Sequence, residues 1–466
     1  MKYLIVTASF LILFVFNSSA THNLAGEIIV EHVKGLEYKA TIVTYTKVSS
    51  VQADRDSLIL SWGDGTVLLV PRKSELIIAN GVKKNSYSQF GSHIYFSPGI
   101  YTISVEDPNR NAGVINIPVS VNKSFYIETV IDISDTLSNG HVNSVDFNLE
   151  PILFAHPGTI YKHNPSPIDP DGDSLLFELV PCKGLNGQNI SGYSFPANIS
   201  IHSSSGEITW QVPQILGIYD FAIKISEFRN GYLMGHMIRD FQVTVIPQLI
   251  QDIRIDGLEQ LELNEEGIYS YTLSPNEKFE VYLTISSNDK SYTPIFRSNT
   301  ELYSLDNSAI CDPDWDLPLG TVGCTYGWTP QSKDARGHPY IFVVRGNLFQ
   351  NEGFGNSILT NKVIQKDVTF LLYARSEPAG IDVPLAASPS VIVYPNPFGD
   401  HIFVNVDRNE PYDIQIYNLQ GKMVHLARGF GSGRVDLYML PRGMYIYQLM
   451  QKGLVSEHGK MVKLSN

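Results

Sequence analysis

Cysteine is nearly missing from this chain. Three residues in 466, Cys182, Cys311 and Cys324, cannot staple a disulfide-dense scaffold, so the fold must rest on buried apolar surface. Positive charge is scarce too: 34 Lys and Arg face 47 Asp and Glu, a net charge of −13. Segment 388–466 holds eight basic and six acidic residues, so the acidity lies upstream of it. An acidic body argues against nucleic acid and anionic lipid as partners and leaves cation binding open. Long apolar runs are absent apart from Tyr3 to Phe16, which is short for a membrane span. There is no Gly-x-Ser-x-Gly elbow, no His-Glu-x-x-His pair and no glycine-rich phosphate loop behind a strand. The chain is therefore expected not to be an enzyme, although the two carboxylates of a glycosidase would leave no sequence signature.

What is abundant is aromatic residues, at 11% with 25 Tyr, which favour strands. Alternation at Tyr101, Ile103 and Val105, and again at Tyr445, Tyr447 and Leu449, has the period of half-buried strands. Lys2, the apolar run and Asn17-Ser18-Ser19-Ala20 read as a cleaved signal peptide over 1–20, with no integral membrane segment expected in the mature chain. The length allows three or four domains, and their expected order is 21–140, 141–246 and 247–375, then a Pro-containing linker at 376–389 and a final module at 390–466.

In the first, Trp62-Gly63-Asp64-Gly65 forms a hairpin signal, followed by His93, Tyr95 and Pro98-Gly99. These residues resemble a PKD domain, which implies an Ig-like sandwich; Asp64 reads as a turn former. In the second, Asp169-Pro170-Asp171-Gly172-Asp173 precedes Gly206-Glu207-Ile208-Thr209-Trp210 and Arg239-Asp240-Phe241. This order resembles cadherin-like or Ig-like repeats of bacterial surface proteins. The third repeats it more weakly, with Cys324 to Trp328 paralleling Gly206 to Trp210 and Lys366-Asp367 paralleling Arg239-Asp240. A period of roughly 120 residues implies serial sandwiches.

Asp169, Asp171 and Asp173 alternate around Gly172, as oxygen ligands for Ca²⁺ would. The cadherin resemblance would add Glu207 and Asp240. The other reading is a polar turn whose side chains accept backbone N–H bonds. Cys311 and Cys324, 13 apart around Pro313, Pro318 and Gly320, are expected to form a disulfide, leaving Cys182 free.

The C-terminal module carries Tyr394-Pro395-Asn396-Pro397, then Gly421-Lys422, Gly443 and Tyr445, and Lys460 and Lys463 near its end. Together these resemble the type A sorting domain of type IX secretion cargo. The resemblance implies the type IX machinery and a sortase as partners, passage through the periplasm, and release or attachment at the outer surface. The expected fold class is all-β: serial Ig-like β-sandwich modules with a small C-terminal β-sandwich sorting domain. The expected function is adhesion or binding to glycan, matrix or another surface protein. The alternatives are an extracellular hydrolase or a structural component of gliding motility.

Overall fold

The computed structural model describes residues 23–464, except 50–54, 79–80, 109, 152–153, 248–252, 260, 288, 290, 315–316, 319, 351–362, 377–390, 407–410, 419–421 and 452–453. The expected signal peptide and nearly all of the expected linker lie outside these residues. The protein is almost entirely β-structure, arranged as successive sandwich-like units and a C-terminal sandwich.

The first unit is built from strands whose inward residues are large and apolar. Asn23–Lys34 pairs Glu37–Lys47, which pairs Val82–Ser88, and the order continues through Val67–Ile77, Ser57–Ser61, Ile100–Asp107 and Phe125–Asp132. Tyr38, Trp62, Tyr87, Tyr95 and Ile127 fill its interior. At Gly63 φ is +82°, and a Cβ there would stand 2.6 Å from the Thr102 carbonyl oxygen, so only glycine fits this turn without displacing backbone.

The unit does not end at an edge. The long strand Tyr232–Val245 of the second unit pairs Gly217–Arg229 along one edge; along its other edge residues 235–238 pair Phe125–Asp132 and residues 240–241 pair Asn23–Lys34, with Ala25 opposite Phe241. Both end strands of the first unit's sheet therefore meet one edge of this shared strand, which covers part of the edges an isolated sheet would present. It runs on through Gly217–Arg229 to Ser174–Val180. The sequence places a boundary near residue 140; a continuous sheet crosses it.

The second unit packs that sheet against Tyr161–His163, Ile208–Trp210 and Ile199–Ile201. The third is a sandwich of two four-stranded sheets. The two cores share a motif. Trp210 meets Tyr219 at 4.9 Å and Trp328 meets Tyr340 at 5.0 Å between ring centroids, while the pairs Phe221–Phe241 and Phe342–Phe370 lie at 5.7 and 5.9 Å. One apolar cluster runs through all three units, joining Leu24 and Tyr45, Trp210 and Phe241, and Ile341 and Leu371. The C-terminal sandwich has a separate core around Phe398, Ile414 and Tyr445.

Candidate functional site

The acidic turn follows from its own sequence. Oδ1 of Asp169 accepts the N–H groups of Asp171 and Asp173, both at 2.9 Å. Gly172 adopts φ +75° between them. One carboxylate oxygen from each aspartate falls within 4.8 Å of the others. Arg229 binds Asp173 through Nε at 2.7 Å and Nη2 at 2.9 Å, and the same Nη2 lies 2.8 Å from Asp171. Its Nη1 donates to the carbonyls of Asn139 and His141. Asn143 donates both its backbone N–H and its side-chain amide to Asp171 at 2.8 Å.

A fourth carboxylate, Glu227, stands opposite Leu175, two residues beyond the turn. It is 1% exposed, and Oε1 accepts the Val145 N–H at 3.4 Å. The charges acting on it are Asp169, Asp173 and Asp171. Burial, reinforced by those aspartates, pushes its carboxyl well above the ordinary range. Burial also raises the Asp169 carboxyl to about 7. Oδ2 of Asp169 and Oε2 of Glu227 are both buried without a hydrogen-bond partner. Strand parity carried a signal for Glu227: Phe221, Ile223 and Ile225 face the core, and residue 227 continues that face.

Glu207 and Asp240 do not join the cluster, a correction to the expected ligand set. Asp240 neighbours Phe241 and Val243 along the strand but points to the opposite face, with Ile238 and Ala222. There Arg110 holds it through Nη1 at 3.0 Å and Nη2 at 2.6 Å and also reaches Asp220 at 3.0 Å. Glu207 precedes Ile208 and Trp210, whose side chains enter the core. Its carboxylate therefore turns to the opposite face, where it is largely covered and meets Lys162 Nζ at 2.6 Å.

That face forms a groove. Ser200, Thr209 and Gln211 line it beside the Lys162–Glu207 pair, and the third unit closes it with the 266–268 segment, where Glu266 meets His202. Donors and acceptors both line it, and Glu207 and Glu266 bring two carboxylates to one concave surface. Asp64 is a turn former. It accepts the Thr66 N–H at 2.9 Å and meets His93 at 2.8 Å, and His93 stacks on Trp62.

Cys311 and Cys324 lie on paired strands, Ile310–Asp314 and Thr321–Trp328, with Cα atoms 5.9 Å apart, and are joined as a disulfide. Cys182 is buried and free.

In the C-terminal sandwich, both X–Pro bonds of Tyr394-Pro395-Asn396-Pro397 are cis. Asn396 fastens this opening to the last strand: its amide donates to the Lys460 carbonyl at 2.7 Å and accepts the Val462 N–H at 2.9 Å. Lys463 is fully buried and donates to the Leu437 carbonyl at 2.7 Å, with Asp400 at 3.5 Å. Gly443 stands opposite Lys463, and Tyr445 donates to the Pro441 carbonyl at 2.6 Å. The Lys422 N–H is accepted by Asn418 at 2.9 Å, whereas Gly421 lies outside the described residues. The motif is thus a latch between the two ends of the module. No helix among the described residues is long and apolar enough to cross a membrane.

No curated protein matches the chain. Residues 392–463 match the sequence model of the secretion system C-terminal sorting domain family. Through that domain the protein is cargo of the type IX secretion system, delivered to the cell surface or the extracellular space.

Proposed function

We propose that the exported chain is a binding protein whose upstream units present a polar groove to a glycan outside the cell. The observation that carries this reading is the groove itself. A saccharide offers hydroxyls that both donate and accept. Lys162 donates, Glu207 and Glu266 accept, and Ser200, Thr209 and Gln211 do both. The buried contacts between units support it, because they hold the second and third units in fixed register on either side of the groove. Asn299 donates to the Ser166 carbonyl at 2.7 Å and Asn164 to Thr369 at 3.1 Å. The reading makes the chain an adhesin rather than an enzyme.

A glycan array probed with the intact protein tests this. Retention on at least one glycan class is expected, with Gln211→Ala combined with Glu266→Ala weakening it at least tenfold while the melting temperature holds. Retention unchanged in the double variant would place the ligand elsewhere, and retention only on matrix proteins would replace glycan with protein as the ligand.

A further inference from the structure

The groove does not use the acidic turn, and the turn has a feature that a simple polar turn does not explain. Arg229 supplies one positive charge, and the contacts of all three of its nitrogens are accounted for by Asp171, Asp173 and the carbonyls of Asn139 and His141. None goes to Oδ2 of Asp169 or Oε2 of Glu227. These two atoms belong to side chains 6% and 1% exposed and have no partner. A buried carboxylate oxygen without a partner is costly, and fully buried charges are found paired or on metals.

We propose that Asp169, Asp171, Asp173 and Glu227 form a site for a hard divalent cation of the calcium class, with Glu227 and Asp169 as its inner wall. The chemistry and size agree. All four donors are carboxylate oxygens. Ca²⁺ takes such oxygens at 2.3–2.6 Å, so oxygens around one ion stand no more than roughly 5 Å apart, and one oxygen from each aspartate lies within 4.8 Å of the others.

The position gives the ion a role. Segment 143–145 contacts the site twice, through Asn143 on Asp171 and Val145 on Glu227. The same segment is bound to the first unit. The His32 N–H donates to Asn143 at 2.7 Å and the Val30 N–H to Ser144 at 2.8 Å. A cation here fastens the connection between the first and second units and leaves the groove untouched.

Titrating the metal-stripped intact chain with CaCl₂ by calorimetry, alongside thermal melts in CaCl₂ and in chelator, tests the assignment. Wild type is expected to bind one ion per chain and to melt higher in calcium. Glu227→Gln should weaken binding at least tenfold, while Glu207→Gln binds like wild type. If Glu227→Gln fails to fold, Asp169→Asn takes its place with the same expectation. A folded wild type with neither binding heat nor a calcium-dependent melt overturns the site. Equal affinity in wild type and a folded Glu227→Gln overturns the assignment of Glu227.

Discussion

Arg345 and Asp367 face each other across a β-hairpin and are both completely buried, Nε to Oδ1 at 2.6 Å and Nη2 to Oδ2 at 2.8 Å. The pair belongs to the third unit but is completed by the second. The Asn164 N–H donates to Asp367 at 3.0 Å, His163 Nδ1 lies 3.2 Å from it, and Arg345 also donates to the Glu150 carbonyl. Burial opposes the charged form of Asp367, but Arg345 and the hydrogen bonds hold its carboxyl well below the ordinary range. The seam between units is therefore an ionic junction closed to water. Asp367→Asn leaves a buried guanidinium without its counter-charge, and we expect a loss of about 3–5 kcal/mol in urea unfolding of the intact chain. Arg345→Met combined with Asp367→Leu should recover part of it. A loss below about 1 kcal/mol for the single variant would mean that water reaches the seam.

The same junction sets a pH response. Burial lowers the His163 imidazole from its ordinary value near 6.5 to about 4. The folded chain keeps the ring neutral while the unfolded chain takes up a proton below about 6.5. The His163 contribution is thus intact above that pH and is lost as pH falls toward 4, by roughly 3 kcal/mol in all. Urea midpoints between pH 7 and 4.5 should fall less steeply for His163→Gln than for wild type. Parallel slopes would contradict the assignment.

Cysteine chemistry separates cleanly. Burial pushes the Cys182 thiol well above its usual range, so it should resist alkylation until the chain unfolds. Cys311 and Cys324 close a loop whose reduction should cost about 3 kcal/mol. Peptide mass spectra of the unreduced chain are expected to show the 311–324 crosslink and one thiol, labelled only in denaturant. Two further free thiols would refute the bridge.

The sorting module is held shut by Asn396 and Lys463. Asn396→Ala removes both bonds to the last strand, and Lys463→Met removes the buried ammonium from the Leu437 carbonyl. Each variant should accumulate in the periplasm, as should deletion of 392–463. Normal surface or medium levels of the deletion would separate export from this module.

Much of this architecture was legible in the residues. The alternation of Tyr101, Ile103 and Val105 marks a strand because side-chain parity is local, and Trp210 and Trp328 mark equivalent core positions because each ends a strand shortly before a proline. The sorting motif was legible because its latch residues lie at fixed turns and strand ends. Pairing was not: Ala25 meets Phe241 across more than 200 residues of chain, and no local pattern names a strand's partner. The acidic site was half legible. The three aspartates share one turn, but the fourth proposed ligand depends on which distant strand pairs beside them. Asp240, which the cadherin resemblance implies as a ligand, shares the strand face of Ile238 and is held by Arg110. Glu227 shares the parity of Ile223 and Ile225 and stands opposite Leu175, two residues beyond the turn.

The central claim is binding without turnover, and the two carboxylates in the groove make hydrolysis its direct competitor. Incubating the purified intact protein with a panel of extracellular polysaccharides, and reading retained protein and released reducing ends in the same wells, decides between them. Retention with no release above the protein-free blank is predicted. Reducing ends that accumulate with time, and that disappear in Glu207→Gln or Glu266→Gln, would contradict it.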